Sequence, residues 1–249
     1  MAFNNKKVSI IMPCFNSEDT LSDSIKSVLK QTYEMFELII IDDGSSDRSK
    51  HVASSFKDSR IIILDNRYDQ GARGARQTGI DFSTGRYIAF LDSDDLWLPN
   101  KLMSQIDFMR KNQVEFSYSN YTMFTEERRW DFDAPGSVSF EDIIKTCSIG
   151  CLTVVLDRKK IDFPIIIPNI AKEDYALWMY LLKKTGIRAR NSGLNTAEYR
   201  VQKNSLSSNK VKEIKKQIMV LRSIGELGII RTFFCIFSYV YHGLRKHKV

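Results

Sequence analysis

The amino-acid sequence predicts an α/β fold, a mostly parallel β-sheet flanked by helices and followed by a helical C-terminal tail. Short apolar runs at 8–12, 38–41, 61–64 and 87–91 alternate with segments whose apolar residues recur at helical spacing. The runs are apolar throughout rather than at every second position, which is typical of parallel strands covered on both faces. Strands that alternate with helices in this way indicate consecutive βαβ units.

The first half of the chain supplies the clearest elements. After the strand at 8–12, Ser17 can cap a helix that carries acids in its first turn and an apolar face from Leu21 to Leu29. From residue 96 the alternation is less regular, and residues 126–137 are polar and irregular. The remaining predicted elements are helices at 46–56, 74–82, 96–111 and 173–184, strands at 116–121 and 152–156, and a basic helical segment from Asn209 onward.

Carboxylates follow two of the predicted strands. Asp42 and Asp43 come after 38–41, and Asp92, Asp94 and Asp95 come after 87–91. Side chains two apart on an extended segment point the same way, so Asp92 and Asp94 can converge on one hard divalent cation. The carboxyl ends of parallel strands are also where open α/β sheets bind ligands. The pattern predicts a nucleotide and metal site with positive charge among the acids. The alternative is that the acids only cap the following helices.

The net charge of +7 is concentrated in the tail. Residues 200–249 carry 11 Lys and Arg against 2 Asp and Glu, whereas residues 1–199 carry 26 against 28. A near-neutral main part does not predict a nucleic-acid-binding face, and a basic tail suits an anionic lipid surface. No run of about 18 apolar residues occurs, so no membrane-spanning helix is predicted.

Four motifs, in the expected order and spacing, resemble those of the inverting glycosyltransferases of family 2. The motifs are Pro-Cys-Phe-Asn at 13–16, Asp-Asp-Gly-Ser-Ser-Asp at 42–47, Gly-Ala-Arg-Gly-Ala-Arg-Gln-Thr-Gly at 71–79 and Leu-Asp-Ser-Asp-Asp-Leu-Trp at 91–97. The resemblance covers roughly residues 7–206 and implies the GT-A fold. It implies a transferase domain at 1–206, with a nucleotide-binding half at 1–95 and an acceptor half at 96–206, before a basic amphipathic tail at 207–249.

Position by position, the resemblance implies a role for each matching residue. Asp94, with Asp92, would hold Mn²⁺ or Mg²⁺, and Asp174 of the Lys-Glu-Asp segment at 172–174 would be the catalytic base. The nucleotide-binding residues would be Pro13, Phe15, Asn16, Asp42, Asp43, Arg76, Asp92 and Ser93. The substrate and acceptor side would use Trp97, Glu173, Trp178, Arg200 and Ser205, although the two tryptophans could instead be ordinary core residues.

The sequence departs from the family pattern at two positions. Gln77 replaces the usual Asn after Arg76, and Gln202 stands where many relatives have His. The Gln-x-x-Arg-Trp motif of processive relatives does not occur, so the transfer of a single sugar is expected rather than polymer synthesis.

The expected activity is a metal-dependent transfer of a hexose from a UDP-sugar to a lipid-linked saccharide, in the synthesis of a bacterial surface polysaccharide. The acceptor would be carried on polyprenyl diphosphate. The enzyme would then work in the cytoplasm, peripherally at the inner face of the cytoplasmic membrane, with its tail on the bilayer. Alternatively the tail packs on the main domain or on a second copy in a homodimer. Two other functions stay open, a nucleotidyltransferase that makes sugar nucleotides and a non-catalytic UDP-sugar binding module.

Overall fold

A computed structural model describes residues 4–201 and 210–246. A single mixed sheet runs through the described part of the chain. Its strands are β1 (Asn4–Cys14), β2 (Phe36–Asp42), β3 (Ile61–Asp65), β4 (Gly85–Phe90), β5 (Leu96–Trp97), β6 (Phe116–Phe124), β7 (Arg129–Phe132), β8 (Ser137–Val138), β9 (Val155–Asp157) and β10 (Ala189–Arg200). The helices are α1 (Leu21–Leu29), α2 (Ser49–Ser55), α3 (Ala72–Phe82), α4 (Lys101–Asn112), α5 (Phe140–Ile143), α6 (Glu173–Thr185), α7 (Lys210–Ser223) and α8 (Ile229–Lys246).

The sheet order is β3-β2-β1-β4-β9-β6-β10-β5, with β7 beside β6 and β8 beside β10. The first four strands in this order are parallel to one another, and β6 and β10 form a second parallel pair. β9 joins the two parallel groups by antiparallel pairing with both β4 and β6. The predicted α/β class with a mostly parallel sheet flanked by helices is confirmed.

The sheet is covered on both faces, as its continuous apolar strands require. Along β1, Ile10 and Met12 pack in a cluster with residues of α1 and α4. Ile11, between them, packs in a second cluster with residues of α3 and α6. Because successive side chains of a strand point to opposite faces, an apolar residue at every position is what a two-sided core needs.

Several predicted elements differ from those observed. The first helix begins at Leu21 after a turn, and its N-cap residue Thr20 makes no side-chain cap bond, so Ser17 does not cap it. The predicted helix at 96–111 starts late, at Lys101, and Leu96 and Trp97 form the strand β5 instead. Pro99 disfavours a helical conformation in the residue before it. The segment at 126–137 is not wholly irregular, because it contains β7 and the first residue of β8. The long strand β10 was not predicted, because few of its residues are apolar.

The helical tail packs against the main sheet domain. Val220, Leu221, Leu227 and Cys235 are buried in the same cluster as the α6 residue Trp178. The predicted boundary at 206/207 lies in 202–209, outside the described residues. Within 4–201 and 210–246, no helix combines the length and the apolar character that crossing a bilayer demands.

The contact between α3 and the sheet gives a test of the fold. A methyl group on Gly79 would lie 2.6 Å from Ile11 Cγ2 and 2.8 Å from Ile41 Cδ1. We expect Gly79→Ala to lower the free energy of unfolding by about 1–3 kcal/mol, measured by urea unfolding, because neither strand can move away. Gly136→Ala is the matched control, since a methyl group there meets nothing within 4 Å. Equal stability of the two variants would contradict the close approach of α3 to the sheet.

Candidate active site

A deep cleft opens at the carboxyl ends of β1, β2 and β4, the edge where the sequence predicted a site. Its volume is about 730 Å³. The residues that line it include most of the predicted set, namely Pro13, Phe15, Asn16, Asp43, Arg76, Asp92, Ser93, Asp94, Glu173 and Asp174. The cleft therefore brings together residues from the first strand, the end of β4 and the start of α6, which are far apart in the sequence.

The loop after β1 is fastened to the loop after β2. Asn16 has left-handed backbone geometry (φ 46°), and its side-chain oxygen accepts a hydrogen bond from Ser46 N at 2.8 Å. Its own backbone N–H donates to Ser45 Oγ at 3.1 Å. The neighbouring Phe15 is half exposed at the cleft surface. Asn16 therefore shapes the wall of the cleft, and Phe15 offers an apolar face to whatever binds there.

Asp43 is held in one orientation by neighbours on both of its carboxylate oxygens. Asn66 Nδ2 donates to Oδ1 at 2.6 Å, and Gly71 N donates to Oδ2 at 2.7 Å. Asp42 lies outside the main cleft and lines a shallower adjoining pocket, which Asp43 also reaches. Of the two acids at the end of β2, only Asp43 borders both the cleft and the adjoining pocket.

The three acids after β4 have different environments. Asp92 and Asp94 are partly exposed and line the cleft, whereas Asp95 is only 1% exposed. Burial, together with the charges of Asp92 and Asp94, raises the pKa of Asp95 well above its usual range. Its Oδ1 accepts the backbone N–H of Arg200 at 2.9 Å, and Arg200 Nε donates to the carbonyl of Asp94 at 3.0 Å. Asp95 and Arg200 thus fasten the end of β10 to this loop.

Arg76 of α3 supplies the positive charge predicted among the acids. Its guanidinium is buried and lies 2.5 Å from Asp92 Oδ1 through Nη2 and 2.5 Å from Glu173 Oε1 through Nη1. Its Nε is buried without a hydrogen-bond partner. Arg76 therefore joins the end of β4 to the start of α6 across the floor of the cleft.

Asp174 lies in the first turn of α6, directly after Glu173. Its Oδ1 accepts a hydrogen bond from the backbone N–H of Tyr175 at 2.7 Å. Burial raises the pKa of Asp174, the charge of Glu173 raises it further, and Arg76 opposes both effects. A carboxylate whose proton affinity is increased in this way is suited to act as a general base.

Trp97 and Trp178 do not line the cleft, so the prediction that they contact substrate is wrong. Trp97 is 3% exposed and donates its indole N–H to the carbonyl of Leu152 at 2.8 Å. Trp178 is fully buried, with its ring centroid 5.6 Å from that of Phe90 and 5.3 Å from that of Phe116. Of the two alternatives for these tryptophans, core packing is the one observed.

Other residues form a further wall of the cleft, and none of them is among the predicted site residues. They are Tyr121, Ile149, Gly150, Cys151, Leu152 and Tyr199. Part of this wall is a 3-10 turn at Cys151–Thr153, in a segment predicted to be a strand. Arg200 does not line the cleft, and its guanidinium lies 4.8 Å from the Phe124 ring centroid. Ser205 lies outside the described residues.

The cleft fits a divalent cation only together with a ligand that brings oxygens of its own. Among the described residues, seven carboxylate side chains line the cleft, against one cationic side chain, that of Arg76. In the described residues no group of three or more His, Cys, Asp or Glu side chains is arranged to hold a metal ion. Asp92 and Asp94 can supply two of the oxygen ligands that Mn²⁺ or Mg²⁺ prefers, and diphosphate oxygens and water could complete the coordination.

Comparison with known proteins identifies the family. A profile of the family described as Glycosyl transferase family 2 matches residues 9–153, more than half of the chain. The chain belongs to glycosyltransferase family 2. It is therefore a glycosyltransferase, and the resemblance seen in its four motifs is confirmed.

Close relatives align with this glycosyltransferase over nearly its whole length. Two Escherichia coli proteins are each named as a UDP-Glc:alpha-D-GlcNAc-diphosphoundecaprenol beta-1,3-glucosyltransferase. WfgD is 46% identical over 96% of this chain and 94% of its own, and WfaP is 45% identical over 96% and 95%. TuaG of Bacillus subtilis (strain 168), a glycosyltransferase named for teichuronic acid biosynthesis, is 37% identical over 96% of each chain.

Solved structures agree with the fold. S. aureus TarS residues 1–349, in complex with UDP-GlcNAc, has a TM-score of 0.69 at 16% identity, over 94% of this chain and 71% of that one. The mannosyltransferase PcManGT from Pyrobaculum calidifontis, in complex with GDP-Man and Mn²⁺, has a TM-score of 0.69 at 13% identity, over 94% and 70%. At these identities the likeness concerns the fold alone, and it supports the GT-A architecture.

The raised pKa of Asp174 predicts opposite effects of Asp174→Asn on activity and on stability. We expect kcat for sugar transfer to fall by about 10²- to 10⁴-fold, because the amide cannot accept the proton. Below the unfolded-state pKa of about 3.9 the carboxyl is protonated in both states and contributes nothing. As pH rises through the higher folded-state pKa, ionisation destabilises the folded protein, so the variant is the more stable protein at pH 7–8.

The two effects are measured by steady-state transfer and by urea unfolding at pH 4 and pH 8. Asp107→Asn, at an exposed position on α4, is the control for charge removal alone. Wild-type turnover in Asp174→Asn would remove the assignment of this residue as the base. A variant less stable than wild type at pH 8 would contradict the raised pKa.

Proposed function

We propose that this glycosyltransferase moves a hexose from a UDP-sugar to a saccharide carried on polyprenyl diphosphate, with inversion at the anomeric carbon. The observation that carries the proposal is the cleft itself, which Asp92, Asp94 and Asp174 line together with Arg76, whose buried guanidinium is paired with Asp92 and Glu173. The names of WfgD and WfaP support UDP-glucose as the donor and a diphosphoundecaprenol-linked sugar as the acceptor. The product would enter a surface polysaccharide.

In the proposed reaction Asp174 takes the proton of the acceptor hydroxyl as that oxygen attacks the anomeric carbon. The bond between the anomeric carbon and the diphosphate oxygen breaks on the opposite face, and UDP leaves with the electron pair. Arg76 fixes the separation between the base and the acids after β4 through its bonds to Glu173 and Asp92. A bound Mn²⁺ or Mg²⁺, held by Asp92 and Asp94, would offset the negative charge on the diphosphate as a Lewis acid.

The charge of the cleft supports a requirement for a metal ion. A UDP-sugar carries two negative charges on its diphosphate, and the cleft that would receive it is lined mainly by carboxylates. The guanidinium of Arg76, the one cationic group in the lining that the structure describes, is already paired with two of those carboxylates. Without an added cation the donor would meet a surface of its own sign, which disfavours binding.

The nucleotide would bind beside β1 and β2. Asp43 borders both the cleft and the adjoining pocket and is held in place by Asn66 and Gly71, so its carboxylate is suited to accept hydrogen bonds from a base. Phe15 and Pro13 offer an apolar edge to the ring. Ser93, whose hydroxyl is 2.8 Å from Ser17 Oγ, lies below the same space.

The C-terminal helix supports a membrane position, at the inner face of the cytoplasmic membrane where a polyprenyl-linked acceptor would be found. One face of α8 consists of large apolar side chains that are 66–77% exposed, namely Ile229, Ile230, Phe233, Phe234 and Phe237. The opposite face, with Thr232 and Cys235, is buried against the protein. An exposed apolar face on a segment rich in Lys and Arg fits the boundary layer of an anionic bilayer.

The two other functions predict different products. A nucleotidyltransferase would release pyrophosphate from UTP and a sugar phosphate, and the chain has no Gly-rich, Lys- or Arg-containing loop after β1 for a triphosphate. A binding module would bind UDP-sugar without turnover, which gives no role to the raised pKa of Asp174. We therefore favour the transferase.

A donor panel tests the proposal. UDP-, GDP- and dTDP-sugars are assayed for nucleotide release with Mn²⁺, Mg²⁺ or EDTA, with and without a GlcNAc-diphosphoprenol acceptor. We expect release from UDP-glucose, loss of release with EDTA, and a fall of about 10²-fold or more in Asp94→Ala, because a metal ion contributes several kcal/mol to such a step. Asp162→Ala, at an exposed acid outside the cleft, is the control. UDP binding without release from any donor would favour the binding module.

Vesicle flotation tests the membrane position. We expect wild type to float with vesicles that contain anionic phospholipid and to float less with zwitterionic vesicles or at high salt, since screening weakens attraction to the headgroups. Phe233→Ser with Phe237→Ser should abolish flotation, whereas Leu194→Ser, at another exposed apolar residue, should not. If wild type forms dimers and does not float, and the double variant is monomeric, this apolar face is a homodimer interface instead.

A further inference from the structure

The residue before Glu173 and Asp174 is held by the C-terminal helices. Lys172 directly precedes Glu173 and has left-handed backbone geometry, φ 57° and ψ 53°. Its Nζ donates to Gln217 Oε1 of α7 at 3.0 Å and to the Tyr239 hydroxyl of α8 at 3.1 Å. It also lies 3.4 Å from Glu213 Oε2 and 4.7 Å from the centroid of the Tyr239 ring. Every one of these contacts comes from α7 or α8.

Gln217 holds the chain on both sides of Glu173 and Asp174. Its side chain is fully buried, with its amide oxygen bonded to Lys172 and its amide nitrogen donating to the Tyr175 hydroxyl at 2.7 Å. The Tyr175 hydroxyl in turn donates to the carbonyl of Ile143 at 2.9 Å. The residue before the pair and the residue after it are thus fixed by one amide group.

The local backbone needs such support. A left-handed conformation at a residue other than Gly is uncommon and unfavourable, so it persists where the surroundings determine it. The conformation at Lys172 directs its carbonyl to accept the backbone N–H of Ala176 at 2.8 Å, which is an early hydrogen bond of α6. If Lys172 relaxed, the first turn of α6 and the carboxylate of Asp174 would shift with it.

We propose that Gln217 and Lys172 are positioning residues for the transfer reaction, and that α7 and α8 hold Asp174 at its distance from the donor. The inference rests on the proposed role of Asp174 as the base. It gives the tail a part in turnover that is separate from any contact with a membrane. Because misplacement of a catalytic group by about 1 Å can cost 10²-fold in rate, the effect belongs in kcat.

A second contact between α6 and the tail provides a matched control. Lys183, in the last turn of α6, lies 2.7 Å from Glu226 Oε2 and donates to the carbonyl of Ile224 at 3.2 Å. It joins the same helix to the segment between α7 and α8, but at the end remote from Asp174. If the tail only stabilises the fold, losing Lys183 and losing Lys172 should have the same consequence.

The experiment compares Lys172→Met, Gln217→Leu and Tyr239→Phe with Lys183→Met in the full chain. We expect Lys172→Met and Gln217→Leu to lower kcat by about 10- to 100-fold while KM for the UDP-sugar stays within about twofold. Lys183→Met should keep wild-type kcat even if its Tm falls as far as the Tm of Lys172→Met or Gln217→Leu. Gln217→Glu, which keeps an acceptor for Lys172, should recover most of the rate. Tyr239→Phe removes one hydroxyl without emptying the core, so it should fold and show a smaller fall in kcat.

Amide hydrogen exchange supplies a readout that needs no substrate. We expect the Ala176 amide to exchange faster in Gln217→Leu than in wild type and to be unchanged in Lys183→Met, since only the first variant releases the start of α6. Unchanged exchange and wild-type kcat in Lys172→Met and Gln217→Leu, or losses of kcat equal to that of Lys183→Met, would overturn the inference. An absence of transfer by wild type itself would instead remove the proposed function, and the exchange result would still decide whether the tail holds α6.

Discussion

The buried guanidinium of Arg76 is the interaction on which the arrangement of the site depends. It joins an acid at the end of β4 to an acid at the start of α6, and so connects the segment with the proposed metal ligands to the helix with the proposed base. Removing one partner from a buried ion pair leaves uncompensated charge and typically costs about 3–5 kcal/mol. Loss of Arg76 would therefore leave Asp92 and Glu173 without the positive charge that holds these two acids close together.

Carboxylates of the same kind take different parts because their surroundings differ. Asp95 is enclosed by protein, which raises its pKa, and its Oδ1 accepts the backbone N–H of Arg200, which fastens β10. Asp43 is oriented by two donors and borders the space proposed for the nucleotide. Asp174 stays in contact with the cleft while its proton affinity is increased. Such a division among neighbouring acids is how one site supports both charge stabilisation and proton transfer.

Much of the first half of the chain, up to β4 and the acids after it, could be predicted from the sequence, and less of the part that follows. The parallel strands β1 to β4 are continuous apolar runs, and the acids at their ends are visible as clusters, so local patterns were sufficient. β10 has polar residues such as Asn191 and Asn195 along its length, and its pairing with β6, β5 and β8 makes it a strand. Trp97 and Trp178 resembled sugar-stacking residues by type, yet whether an aromatic side chain faces a cleft or a core depends on tertiary packing.

The hydrogen bonds between the tail and the start of α6 have a consequence for how such enzymes diversify. The segment matched by the family profile ends at residue 153, whereas Lys172, Gln217 and Tyr239 all lie beyond it. The part of the chain that surrounds the proposed nucleotide site and the part that holds the start of α6 are therefore separate stretches of sequence. A chimera that joins the first stretch to the C-terminal region of a relative would inherit that relative's own supports for α6. Exchanges made between α6 and α7 would instead divide a set of mutually fitted side chains, so crossover points before residue 172 are the better choice for recombination.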